Sequence, residues 1–394
     1  MWPFIVIAVA AVLVGAFLFS RGRGAEDDGP EIISVPNSIS ADCSRNVEVD
    51  LNAFIAKVPD ESIVRFARDG CYAQAARIEV HGTRNVTFDG NGSTFRSSAA
   101  NVETVQPNWF VVDATDTTFQ GVVVEGNFKE FGSRSAERVG QIARNQFNAG
   151  FFIYGGLRVV VRDSTIRDTF GDGVGVAPAG ILPGGRGATV GAAHDIRLQR
   201  LNISHTARQA VAFTGGVGLW LEDSTISDAW YWGVDAEIDA PGEGLKDVHI
   251  LRNVFDGMYF GAITVPAPGR TGDVDGIEIR GNRTLTGPDV CGNTVLVTYW
   301  QNTGSTMANI VVEDNQFKAK GPGVEYRDVS TGSVRNNTIE LLPGCGVAPP
   351  VRPINSPNVV LCGNVATGLY SPNDPSTAPC ADGPTASGPV RSGG

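Results

Sequence analysis

The sequence predicts an all-β chain wound as a parallel β-helix of about ten coils. Three observations carry that expectation: a short recurring phrase, an asparagine at one fixed phase of it, and a composition of 49 Gly with only 19% charged residues. The phrase reads apolar, any, apolar, any, Asp/Gly/Asn, Asn/Ser, any, apolar. It is plainest at Val248-His249-Ile250-Leu251-Arg252-Asn253-Val254-Phe255. Further copies surround Ser224, Asn282, Asn315, Asn337 and Asn364, roughly 22 to 33 residues apart, a spacing typical of solenoid coils.

Each copy alternates apolar and polar residues, the period-two mark of a strand with one buried face. The Gly, Asn and Asp that follow supply turn geometry. A single such strand cannot bury its apolar face, whereas stacked coils share a continuous interior. At about 4.8 Å per coil the rod would be on the order of 48 Å long. Parallel crossovers prefer the right hand, and with the family resemblance given below this sets the expectation of a right-handed parallel β-helix. Asn253, Asn282, Asn315, Asn337 and Asn364 then stack, each amide bonding the next, as scaffold rather than chemistry. Phe88-Asp89-Gly90-Asn91-Gly92 reads as an early coil turn of the same kind.

Along the chain, residues 1–25 read as a membrane anchor or signal segment. Residues 2–19 are apolar or small and carry no charge, the threshold length for a span. Arg21 and Arg23 follow the stretch, which by the positive-inside rule would keep the rest cytoplasmic. Six Cys, an even number, argue instead for an oxidising compartment. The balance favours export, either membrane-anchored or secreted after cleavage near Ala25. Cys43 and Cys71 bracket a short segment and can pair; Cys291, Cys345, Cys362 and Cys380 allow three pairings, left open. Residues 26–42 form an acidic, Pro/Gly-containing linker. Ser44 is expected to cap a helix that sets Val47, Leu51, Phe54, Ile55 and Val58 on one face and covers the open end of the solenoid. The β-helix domain spans 43–370. An excursion at 127–148 interrupts it, with a short helix expected at 135–146 and Arg134, Arg138 and Arg144 nearby. Long insertions in solenoids gather on one face and often wall a groove. A Gly-rich loop follows at 178–193, and 371–394 reads as a disordered tail.

Net charge is −11, which argues against nucleic acid as a partner. No His/Cys spacing calls for zinc and no cofactor is required; Ca²⁺ has no motif to hold it.

Four coils align on a second strand, with Val174, Val211, Val234 and Ala262 pointing inward. In that register Asp235 and Glu237 face outward, about 6.8 Å apart by strand rise. Their neighbours Gly175, Ala212, Ala177 and Thr214 are small, so the acids lie in a shallow trough. Arg208, Tyr231 and Tyr259 share a column beside them, Trp230 and Trp232 flank them, Gln209 follows Arg208, and His205 neighbours Asp228. Carboxylates, an Arg and aromatic rings on one face suit polysaccharide chemistry. Rings present apolar faces to sugar CH groups, and paired carboxylates divide acid and base roles. With a uronate, Arg208 would neutralise the substrate carboxylate. Asp235, Glu237, His205 or Tyr231 would exchange the proton. The expected catalytic set is therefore Asp235, Glu237, Arg208 and Tyr231, with Trp230, Trp232, Tyr259, His205 and Gln209 binding substrate. The bland alternative makes Asp235 and Glu237 a solvated strand face, with Arg208 their salt-bridge partner. Asp172, between Gly171 and Gly173, reads as a turn residue, and His81, His194 and His249 as structural.

From Cys43 to about Val365 the chain resembles the right-handed parallel β-helix proteins of the pectate-lyase-like superfamily. The resemblance is carried by Val58-Pro59-Asp60-Glu61-Ser62-Ile63-Val64-Arg65-Phe66 with Asn85-Val86-Thr87-Phe88-Asp89-Gly90-Asn91-Gly92, and by Arg208-Gln209-Ala210 with Val234-Asp235-Ala236-Glu237. It implies the fold and, more distantly, action on polysaccharides. Trp232-Gly233-Val234-Asp235-Ala236-Glu237 is similar to the Tyr-Gly-Phe-Asp-Pro-His strand of alginate C5-epimerases. The Gly and Asp match, but Trp replaces Tyr and Glu replaces His, so that family's proton-handling groups are displaced. The Gly-His-Gly of polygalacturonases and the calcium and Arg motifs of pectate lyases are absent. The implied function is an extracytoplasmic enzyme acting on a polysaccharide, uronate-containing, as lyase, epimerase or hydrolase. A non-catalytic glycan-binding or surface-scaffold β-helix is the rival.

Overall fold

The computed structural model describes residues 29–98, 106–128, 147–178, 193–238, 244–268, 272–300, 306–370 and 373–381. These form three parallel sheets that the chain visits in rotation. The first has twelve strands, from Glu31–Ser34 to Val359–Cys362. The second has twelve, from Asp42–Asn46 to Val365–Gly368. The third has ten, from Ile78–His81 to Val351–Ile354. The expected ten coils thus match the third sheet, and the other two run further at the ends.

Alternation decides what faces inward. One column of the first sheet runs Val161, Leu198, Leu221, Ile250, Ile279 and Val312, all inaccessible to solvent. At the N-terminal end the interior is aromatic: Phe66, Phe88, Phe95, Trp109, Phe119 and Phe151 pack edge-to-face and stacked. On the third sheet Val174, Val211 and Val234 point inward as expected, but the fourth member is Ile263 and not Ala262. The expected register was one residue out there. Gly261 pairs with Trp232, at the same offset that the second sheet keeps in this coil, and the Trp232 ring lies 2.4 Å from where a Cβ on Gly261 would stand.

The asparagine column is a ladder. Asn282 Nδ2 donates to Asn315 Oδ1 (3.1 Å) and to the Ile250 carbonyl (2.7 Å), while its backbone N–H also donates to Asn315 Oδ1 (2.8 Å). Asn253, Asn315 and Asn337 repeat the pattern, and Ser224 continues it upward by donating its N–H to Asn253 Oδ1. The Asn91 turn is also present, with Asn91 and Gly92 at φ 51° and 81°.

Both ends differ from expectation. Glu31–Ser34, expected in the linker, pairs with Ser62–Arg65. The helix is Glu48–Ile55 with Leu51 and Ile55 buried, but Val47 precedes it and no side chain caps it. Ser44 lies instead in the strand Asp42–Asn46. There its N–H donates to Asp42 Oδ1 (2.9 Å), and the Cys43–Cys71 disulfide pins the strand to Cys71–Gln74. At the other end residues 373–381 are folded rather than tail-like. A 3-10 turn at Pro375–Thr377 offers the Ser376 carbonyl to Asn364 Nδ2 (3.0 Å), and Cys362–Cys380 fastens it. The third disulfide is Cys291–Cys345, closing 54 residues. Replacing Cys291 and Cys345 by Ser is expected to lower the free energy of unfolding by about 2–4 kcal/mol, read from the denaturant midpoint.

The anchor segment 2–19, the helix expected at 135–146, the loop core 179–192 and residues 382–394 lie outside the described residues. Among the described residues no helix is long and apolar enough to cross a membrane.

On the outer face of the first sheet, Arg197, Trp220 and His249 stack as successive column members. Burial alone would lower the His249 pKa. Hydrogen bonds to Glu278 (3.0 Å) and Asp247 (2.8 Å) outweigh it and raise the pKa above the ordinary value. The raised folded pKa means that this stabilisation is full below the unfolded value, about 6.5, and fades as pH rises through the folded value. His249→Gln should therefore destabilise more at pH near 5.5 than near 8.5, by urea unfolding at both.

Candidate active site

The candidate site lies on the outer face of the third sheet. One outward column there reads Phe152, Gly175, Ala212, Asp235 and Thr264. Glu237 follows Asp235 by two residues and its N–H donates to the Phe213 carbonyl (2.9 Å). The small residues leave a shallow cleft of about 20 Å³. Its lining combines apolar side chains, Phe147, Phe152 and Ala212, with polar ones, Asp172, Arg208, Glu237 and Thr214. Phe147 ends the excursion at 127–148, so that excursion reaches the cleft at its C-terminal end.

Asp172 is the residue that sequence reasoning missed. It is buried, accepts from Arg208 Nη1 (3.3 Å) and receives the Gln209 backbone N–H (3.2 Å). Its flanking glycines had suggested a turn. Gly173 in fact serves close packing: a Cβ there would meet the Ala210 carbonyl oxygen at 2.5 Å. The usable signal was register, since the Asp172 column continues into Gln209.

Gln209 joins the two halves of the site. It is 1% exposed and donates through Nε2 to Asp235 Oδ2 (2.7 Å). Asp235 is itself buried and does not line the cleft, while Glu237 is half-buried and does. Arg208 and Asp172 form a buried ion pair, side chains 9% and 4% exposed. Burying such a pair is costly unless each charge keeps its partner. The Tyr231 phenol is pushed above its ordinary pKa. Burial is the main cause, Arg208 opposes it, and Asp235 and Glu237 add to it. At neutral pH Tyr231 is therefore a neutral phenol. The four expected catalytic side chains are thus neighbours.

The expected binding residues separate. Trp230 and Tyr259 are 2% and 6% exposed, packed with Phe128 and Ala207 in an aromatic cluster. Burial on every side removes them from the sugar-facing surface. The one-residue register change also takes Tyr259 out of the Tyr231 column, where Phe260 stands instead, with ring centroids 4.7 Å apart. His205 does neighbour Asp228 through the Ser204–Ser227 pairing. It belongs to the second sheet, bonds Asp168 through Nδ1 (2.7 Å) and packs on Phe128. Trp232 is half-buried over Gly261. The rings that line the cleft are Phe147 and Phe152. Among the described residues no three His, Cys, Asp or Glu side chains group as a metal site.

Comparison with solved structures decides the fold. The pneumococcal surface protein and adhesin PfbA, from Streptococcus pneumoniae, superposes with a TM-score of 0.53 at 11% identity, over 86% of this chain and 98% of that one. The fold is the right-handed parallel β-helix. The Dettilon tailspike protein gives a TM-score of 0.53 at 9% identity, over 85% of this chain and 61% of the tailspike. A family 28 exopolygalacturonase from Yersinia enterocolitica gives 0.52 at 9%, over 87% and 79%. This chain spans about three fifths of the tailspike's length. No family model matches the sequence, and no curated protein matches it.

Proposed function

We propose that this β-helix acts on a polysaccharide outside the cytoplasm, with a uronate-containing chain as substrate and acid–base chemistry at the third-sheet cleft. The observation that carries this reading is the cleft's mixed lining, which includes Phe147 and Phe152 together with Asp172, Arg208 and Glu237. Phe147, half-buried where Phe152 is buried, offers the apolar face to a sugar ring. Glu237, the half-buried carboxylate of the cleft, exchanges the proton with the glycosidic oxygen or the attacking water. Asp235, held by Gln209, stabilises the developing positive charge from behind. Arg208 answers a substrate carboxylate, and Tyr231 remains a phenol that donates. Three disulfides support an oxidising compartment, with residues 2–19 as anchor or signal. The helix Glu48–Ile55 serves as the cover of the first coil.

The test is incubation of the full chain with a panel of neutral and uronate polysaccharides, following new reducing ends and unsaturated-product absorbance separately. Reducing ends without unsaturation support the reading. A second reading is favoured by the burial of Asp235 and of the Arg208–Asp172 pair: a glycan-binding β-helix without turnover. Binding with neither product would establish that one.

A further inference from the structure

The outward column that holds Asp235 continues along the solenoid axis. It runs Asp235, Thr264, Leu296, Glu325, Arg352, one residue per coil. The next outward row carries Pro266, Thr298 and Arg327. Between the cleft and Glu325 both rows are uncharged. Charge returns three coils on, about 14 Å away at about 4.8 Å per coil.

Glu325 is 1% exposed and both its oxygens are taken. Oε1 accepts from Arg327 Nη2 (2.9 Å), and Oε2 accepts from Arg352 Nε (2.8 Å) and Nη2. One carboxylate thus orients two guanidinium groups, which are 43% and 45% exposed. Arg327 spends one N–H on Glu325 and no other on any described residue. The group is cationic by one charge in a chain of net charge −11. A planar fork with unspent donors fits a carboxylate in two-point contact, a geometry that a lone lysine lacks.

We infer that Arg327, steadied by Glu325 beside Arg352, binds a carboxylate on a sugar ring about three coils from Glu237. The inference rests on the proposed polysaccharide reading and adds to it where along the third sheet the anionic ring sits. A chain lying along the axis from the cleft crosses Thr264 and Leu296 and meets the guanidinium groups next.

The test uses the full chain, sodium polygalacturonate and its carboxyl-reduced counterpart, with affinity measured by calorimetry at two salt concentrations. Arg327→Gln is the variant of choice. It leaves the Arg352–Glu325 pair in place and removes the excess charge, and its thermal midpoint serves as the folding control. We expect about a tenfold loss of affinity for polygalacturonate, a weaker salt dependence, and unchanged affinity for the reduced polymer. Unchanged binding of polygalacturonate, or an equal loss on both polymers, overturns the inference while leaving the polysaccharide reading intact. If the unaltered protein binds neither polymer, the inference and the polysaccharide reading fall together.

Discussion

Glu237→Gln is expected to cut turnover at least a hundredfold while polysaccharide binding survives. Removing a positioned general acid or base costs about 10² to 10⁴ in rate. Glu237 is the clean place to test this, because it lines the cleft and is half-buried. Asp172→Asn would be ambiguous: it strips the buried Arg208 of its partner, and breaking a buried pair destabilises by about 3–5 kcal/mol. Asp235→Asn keeps the shape but gives Gln209 Nε2 an amide in place of a carboxylate. Steady-state rates on the substrate found in the panel, with binding measured in parallel, check the expectation. A Glu237→Gln variant that turns over at the unaltered rate would remove this residue from the chemistry.

The largest effect on stability is expected from Asn315→Ala, at about 3–5 kcal/mol. Asn315 is 1% exposed. Its Oδ1 accepts from the Asn282 N–H (2.8 Å) and Nδ2 (3.1 Å); its Nδ2 donates to the Ile279 carbonyl (2.9 Å) and Asn337 Oδ1 (2.8 Å). Alanine leaves the Asn282 N–H without its acceptor and takes one bond each from Asn282 Nδ2, the Ile279 carbonyl and Asn337 Oδ1, of which Asn282 Nδ2 keeps the Ile250 carbonyl and Asn337 Oδ1 keeps the backbone N–H of residue 315. Each orphaned group costs about 1–3 kcal/mol, partly recovered by relaxation. Urea unfolding with the slope held common to both proteins gives the number. A loss below about 1 kcal/mol would mean that the ladder records the stacking of coils without holding it.

The repeat made the fold legible because strand alternation and turn chemistry are local, and each coil states them again. The asparagine ladder followed for the same reason: identical phase in the phrase becomes identical height in the stack. The candidate site was legible only where register could be counted. Asp235, Glu237, Arg208 and Tyr231 fell together because their coils differ by whole repeats. Counting failed at Gly261, where matching Tyr259-Phe260 to Tyr231-Trp232 falls one residue short of the offset that the coil keeps in both sheets, and that misplaced Tyr259. It failed also at Asp172, whose glycines looked like a turn and are there for close packing of coils.

The sequence by itself determined the strands, the turns, the ladder and the face on which the acids stand, since each depends on residues near in the chain. Only the tertiary structure decided which side chains of that face meet the cleft. Burial of Trp230, Tyr259 and Phe152, the place of Glu237 at the cleft, and the Asp172–Arg208 pair all depend on packing between coils 23 to 37 residues apart. At that range the neighbours' shape, not the local pattern, sets which atoms face solvent.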